Sequence, residues 1–196
     1  QFGVRDRTSG VLGIPVSDIK VVPMEIGGGF GGKNPIYLEP VAAVLSKKSG
    51  SPVQMTMSRS EVLEASGPTS GGHVKAKIGV TREGKITAAQ AYYAFEAGAY
   101  PGSPIAGASA AIFSSYVIEN VKINAFDVVT NKPKTEAYRA PGAPIVCYGI
   151  ESLMDEIASE LGLDPLEFRL LNVATQGTRR SDGAVNGPIG AKEVME

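Results

Sequence analysis

The segment Gly27-Gly28-Gly29-Phe30-Gly31-Gly32-Lys33 constrains this 196-residue chain more than any other stretch. Five glycines surround one phenylalanine, directly after the apolar run 19–26. Glycine has no Cβ, so it reaches positive φ and lets the backbone approach a neighbour or ligand closely, at a cost in chain entropy. Successive amide N–H groups in such a turn form a concave anion site. The loop reads as one that lays peptide amides against something flat or anionic, with Phe30 presented at its centre.

Two phosphate motifs are imitated here. Gly27-x-Gly29-x-x-Gly32 fits the dinucleotide fingerprint, and Gly27-x-x-x-x-Gly32-Lys33 fits most of a P-loop. A P-loop continues with Ser or Thr to ligate Mg²⁺, whereas position 34 is Asn34. The fingerprint wants an acidic residue about 20 positions on, at the end of a second strand. Glu39 comes too early, and the stretch 51–58 runs into Met57-Ser58-Arg59 without a carboxylate. A phosphate- or nucleotide-binding module on the Gly27-to-Lys33 loop therefore stands as an alternative, beside a glycine-rich turn that holds no ligand.

The rest of the chain implies an α+β fold with mixed or antiparallel sheets and packed helices. Helices are expected over 5–12 (closed by Gly13 and Pro15), 38–48 (Pro40 in the first turn, Gly50 after the end) and 145–162. A short helix or turn falls over 59–64, and loop plus helix over 103–113. Leu153, Met154, Ile157 and Leu161 recur at helical steps on the longest helix. Asp164, Pro165 and Glu167 read as an N-cap, a first-turn proline and a capping-box glutamate. Strands are expected over 19–26, 52–57 and 121–129. Val74, Ala76, Ile78 and Val80 alternate with polar residues, turn at 82–85, and pair with a strand bearing Ile86, Ala88, Gln90 and Tyr92.

Nineteen basic residues balance 20 acidic ones, which implies no nucleic-acid partner. No apolar run of about 18 residues predicts a membrane span, and the expected location is cytoplasmic. A single cysteine, Cys147, excludes an internal disulfide or an iron–sulfur cluster ligated within this chain. It is expected to be a small buried residue. His73, the only histidine, is expected at the surface of the hairpin.

A second segment decides between the readings. Glu136-Ala137-Tyr138-Arg139-Ala140-Pro141-Gly142-Ala143-Pro144 leads into the longest helix. With the glycine loop, with Leu12-Gly13-Ile14-Pro15, with Glu151 to Ala158 and with Asp164-Pro165-Leu166-Glu167-Phe168-Arg169, it resembles the molybdenum-cofactor-binding subunit of the xanthine dehydrogenase/aldehyde oxidase family. The motifs stand in the family's order and cover nearly the whole chain. The resemblance implies that residues 1–196 are a fragment of the molybdopterin-binding domain, its N-terminal part, with a subdivision near 68–135.

The resemblance also implies chemistry: a molybdenum hydroxylase, an oxidoreductase that oxidises an aldehyde or an N-heterocycle with water as oxygen source. The cofactor is molybdopterin, with or without a cytosine dinucleotide. Iron–sulfur clusters and FAD are expected on other subunits or domains. Expected partners are the remainder of the molybdenum subunit, those electron carriers and a small-molecule substrate. Phe30 takes the position whose backbone amide approaches the metal centre, and Gly28, Gly29 and Gly31 let it come close. Arg139 takes the position of the arginine beside the molybdenum ligands; its bland alternative is a salt bridge to Glu136, and that of Phe30 is a core aromatic covering the loop.

Three substrate-pocket positions depart from the purine-oxidising members. Asn34 stands where a glutamate binds purine, Gly107 near a substrate-clamping arginine, and Pro141 where a phenylalanine stacks. Asn34 is alternatively a cap before Pro35. The family's catalytic carboxylate base lies beyond Glu196, so no catalytic residue and no direct metal ligand are expected here. The isolated chain is expected to be inactive, and an interaction role is the non-catalytic reading.

Overall fold

The computed structural model describes residues 1–196. The chain divides into two compact units, Gln1–Thr69 with Lys132–Arg139, and Ser70–Asn131 with Ala140–Glu196. No helix is long and apolar enough to cross a membrane.

The first unit holds α1 (Phe2–Leu12), α2 (Glu39–Ser49) and α3 (Arg59–Ala65). Gly13 and Gly50 close α1 and α2 in the left-handed conformation, each donating its N–H to a serine carbonyl of the preceding turn. Ser58 and Glu61 form a reciprocal capping box on α3. The strands expected over 19–26 and 52–57 are not formed. Ile19 has extended angles, but no ladder partner lies beside either segment, and β structure exists only as pairs.

The second unit is built on β1 (Gly72–Val80), β2 (Ile86–Gly98) and β3 (Asn120–Val129), joined in that order. β2 is central, antiparallel to β1 and parallel to β3, so the sheet is mixed. The return from β2 to β3 carries α4 (Ile105–Ala111). The hairpin forms as expected. After Ile86 its buried face carries Ala89, Ala91, Tyr93 and Phe95. The register shifts where Val80 faces Ile86 and Gly79 faces Ala88, leaving Thr87 as an extra residue. Such a bulge reverses the in–out alternation beyond it.

α5 (Ala143–Leu161) lies on the buried face of the sheet, followed by α6 (Pro165–Asn172) and α7 (Ala191–Met195). Val146, Ile150, Met154 and Ala158 recur every fourth residue along α5 and are fully buried against Tyr93, Phe95 and Phe168. Asp164 caps α6 by accepting from the N–H groups of Leu166 and Glu167. Cys147 is half-buried rather than buried, and burial together with nearby Glu151 pushes its thiol up, away from a reactive thiolate. His73 is exposed at the start of β1, as expected.

Two polar arrangements lock α6. Buried Asn172 donates to the carbonyls of Gly84 and Phe168, 2.9 Å each, and accepts from the N–H of Ile86 at 2.9 Å. One side chain thereby satisfies the β1–β2 turn and the end of α6. Arg169 donates to Glu151 at 2.9 Å and to Asp155 at 2.7 Å, tying α6 to α5. The Tyr116 hydroxyl donates to the same Glu151 carboxylate at 2.8 Å.

Asn172→Leu leaves buried Ile86 N–H and Gly84 C=O unpaired and is expected to cost about 2–4 kcal/mol, measurable by urea denaturation; a loss within experimental error would contradict the lock. Burial, then the Glu151 carboxylate, raise the Tyr116 pKa above its usual 10. The folded state therefore holds this proton more tightly than the unfolded chain. Its contribution is present below pH 10 and lost as pH rises beyond it. Melting temperature is expected to fall more steeply above pH 10 in the native chain than in Tyr116→Phe.

Candidate functional site

The glycine loop owes its shape to a run of unusual backbone angles. Gly27, Gly28 and Gly31 have φ of 69°, 127° and 99°, and Phe30 itself has φ 49°. Phe30 is thus a non-glycine residue in the left-handed region, a state that persists only where surroundings enforce it. The enforcing contacts are local. Gly32 N–H donates to Gly29 C=O at 2.8 Å, and Asn34 N–H to Gly31 C=O at 3.2 Å. Lys33 Nζ folds back onto the carbonyl of Ile26, closing the loop across its mouth.

The second motif meets the first directly. Arg139 N–H donates to the Phe30 carbonyl at 2.8 Å. A Cβ on Gly31 would come within 2.5 Å of the Ala137 carbonyl oxygen, so only glycine permits this approach. On the other side of the same segment, a Cβ on Gly67 would overlap Glu136 Cγ at 2.1 Å. Glu136 N–H also donates to Pro68 C=O at 2.9 Å, and Tyr37 Oη accepts from Gly67 N–H at 3.1 Å. Residues 132–139 therefore run between two glycine-lined walls of the first unit.

With the Phe30 carbonyl engaged, the amides stay available. The N–H groups of Gly28, Gly29, Phe30 and Gly31 donate to no protein acceptor. The Arg139 guanidinium is exposed and forms no ion pair, so the salt bridge to Glu136 is absent. Phe30 is 64% exposed and its ring lies beside Gly28 rather than in a core. Four free amides and a free guanidinium in the first unit, which holds the glycine loop and Glu136–Arg139 of the second motif, fit an anionic, oxygen-rich group such as molybdopterin.

The nucleotide-cradle alternative does not survive this geometry. Lys33, which would reach the phosphates of a P-loop ligand, is engaged by Ile26. The helix that should start at the loop and lend its N-terminus to a phosphate begins only at Glu39. Asn34 is exposed and caps no helix; α2 starts from Leu38, with Glu39 accepting from Tyr37 N–H.

Gly107 and Pro141 belong to the second unit, and a Cβ on Gly107 would come within 2.9 Å of the Pro141 carbonyl. Gly142, with φ 84°, packs so closely on α4 that a Cβ there would meet Pro104 O at 2.5 Å. Sequence reasoning missed Ala137 as the residue facing Gly31, and Ile26 as the acceptor for Lys33. The only signal for the first was a glycine directly after the aromatic; the second had none.

Known proteins are similar to this chain in sequence and fold. Residues 1–173 match the family model described as the molybdopterin cofactor-binding domain. The chain is 31% identical over 196 residues to the nicotinate dehydrogenase large molybdopterin subunit of Eubacterium barkeri, covering 98% of this chain and 46% of that one. It is 34% identical over 178 residues to the xanthine dehydrogenase molybdenum-binding subunit of Escherichia coli O157:H7, covering 89% and 24%. Quinoline 2-oxidoreductase from Pseudomonas putida 86 superimposes with a TM-score of 0.91 at 25% identity, over 98% of this chain and 26% of that chain. The chain thus spans less than half the length of the curated relatives it matches. With both signature loops in place and the family model covering 1–173, the chain belongs to the molybdopterin cofactor-binding domain family of xanthine dehydrogenase and aldehyde oxidase type.

Proposed function

We propose that the chain is a cofactor-binding portion of a larger molybdenum hydroxylase subunit, and that Gly28, Gly29, Phe30, Gly31 and Arg139 hold molybdopterin. The supporting observation is the pinned loop, whose four amides are free while the Phe30 carbonyl is held by Arg139 N–H. When bound, the pterin-held molybdenum supplies the oxidation that inserts oxygen from water into a substrate C–H bond. The protein's part is to donate hydrogen bonds from fixed amides. The guanidinium stays charged and offers planar donors to an oxyanion or phosphate. The remainder of the subunit, which would bring the catalytic base, and iron–sulfur and flavin carriers complete the enzyme.

The substrate is an aldehyde or a simple N-heterocycle rather than a purine. Names of relatives include nicotinate and quinoline enzymes but also xanthine dehydrogenases, so the family alone does not select. The argument rests on Asn34, Gly107 and Pro141. Asn34 is an amide where a carboxylate is expected. An arginine at 107 would collide with the Pro141 carbonyl unless the backbone moved. Pro141 has no aromatic face.

Gly31→Ala in the complete subunit is expected to lower molybdenum content at least about tenfold, by elemental analysis, because the new Cβ pushes Ala137 away; full loading would refute the cradle. Two missing charged hydrogen-bonding partners are worth roughly 1.5–3 kcal/mol each. Steady-state kcat/KM for xanthine is therefore expected at least about 100-fold below that for nicotinate-like rings or aldehydes. Efficient xanthine turnover with those substrates inert would overturn the assignment of the three positions.

A further inference from the structure

We propose that residues 19–26 and 52–57 become strands by accepting an extended, apolar-alternating segment from elsewhere in the same molybdenum subunit, and that this strand addition supports the glycine loop. The proposal rests on the reading that the chain is part of a larger subunit. Between Lys20 and Glu25, and between Pro52 and Met57, no backbone N–H or C=O takes part in a backbone hydrogen bond. Both stretches nonetheless carry strand-type sequence, and Val53, Met55 and Met57 are less exposed than their neighbours, at alternate positions. An extended segment with open edges is a template for β-addition.

Side chains point to the same conclusion. Val22, Met24 and Ile26 are 62%, 79% and 60% exposed. Along them runs an open cavity of about 470 Å³, lined also by Val4, Val21 and Pro35. Every large apolar side chain that is fully buried lies in the second unit; in the first, only Pro35 and Pro40 are buried among the apolar residues. Contiguous exposed apolar surface of this kind marks a covered face.

A second copy of the chain is a poorer occupant. Two copies pairing antiparallel about the middle of 19–26 would bring both copies' Pro23, neither with an N–H donor, side by side at the centre of the ladder, whereas a different segment meets only one. The relatives, in contrast, contain the additional polypeptide: the match occupies 46% of one and 24% of another. Segment 19–26 runs directly into Gly27, so fixing it in a sheet fixes the loop's entry.

Hydrogen exchange with mass spectrometry, on the chain alone and on the complete subunit from a host that cannot make the molybdenum cofactor, tests this. The expected result is unprotected exchange at 20–26 and 53–57 in the chain alone, and exchange at least about 100-fold slower in the cofactor-free subunit. Equal, unprotected rates in both would overturn the proposal. So would protection in the isolated chain that rises with its concentration, which would assign the face to a second copy. Met55→Pro, which removes one donor from an open edge, is expected to leave the circular dichroism of the isolated chain unchanged and to abolish protection at 53–57 in the subunit. A subunit that gains protection yet never binds molybdenum would refute the cofactor assignment and leave strand addition standing.

Discussion

The hydrogen bond from Arg139 N–H to the Phe30 carbonyl fixes the site on which everything else depends. It joins two segments more than 100 positions apart in sequence. It also occupies the carbonyl of the one non-glycine residue in the glycine loop with positive φ. A peptide group held from its oxygen side presents its neighbouring N–H groups in a fixed direction. Preorganised donors of that kind need no reorganisation when charge arrives. Gly31 makes the bond possible by clearing the space that Ala137 needs. The glycines thus serve two different ends: those at 27 and 28 turn the chain, and the one at 31 lets another segment in.

Electrostatics at the loop follow from what its lysine does. Lys33 sits where a phosphate-binding motif would place its cation, yet it satisfies the Ile26 carbonyl of its own loop. What the loop offers instead is a set of unpaired amides, Gly28 to Gly31. A similar economy of partners holds α6 in the second unit. There Glu151 serves Tyr116 and Arg169 together, and Asn172 satisfies a turn and a helix end with one amide.

Most of the helices and the hairpin were legible because their signals are local. Capping residues, prolines in first turns, glycines after last turns and three-to-four-residue periodicity all act within a few positions. Segments 19–26 and 52–57 were misread for the complementary reason. Their alternation is that of a strand, but a strand needs a partner, and no residue of a single segment reports whether one is present. The inward face of β2 past Thr87 is not legible from sequence, because a bulge shifts every following side chain to the opposite face and leaves no mark in the alternation before it. Gly28–Gly31 and Arg139 are candidates through a family pattern, whereas the contact of Gly31 with Ala137 and the tie of Lys33 to Ile26 exist only in three dimensions.

The first unit is made of two stretches of chain, with residues 70–131 between them. That interruption has a consequence for synthesis. The glycine loop leaves the ribosome early, but the segment that pins it follows only after the whole sheet of the second unit has been made. At translation speeds of roughly 5–20 residues per second, the interval from Phe30 to Arg139 is about 5–20 s. During that time the Phe30 carbonyl lacks the Arg139 N–H, and only the bonds within residues 26–34 hold the loop. Pinning of the loop by Arg139 is therefore a late event in the life of the nascent chain, timed by the length of the insertion.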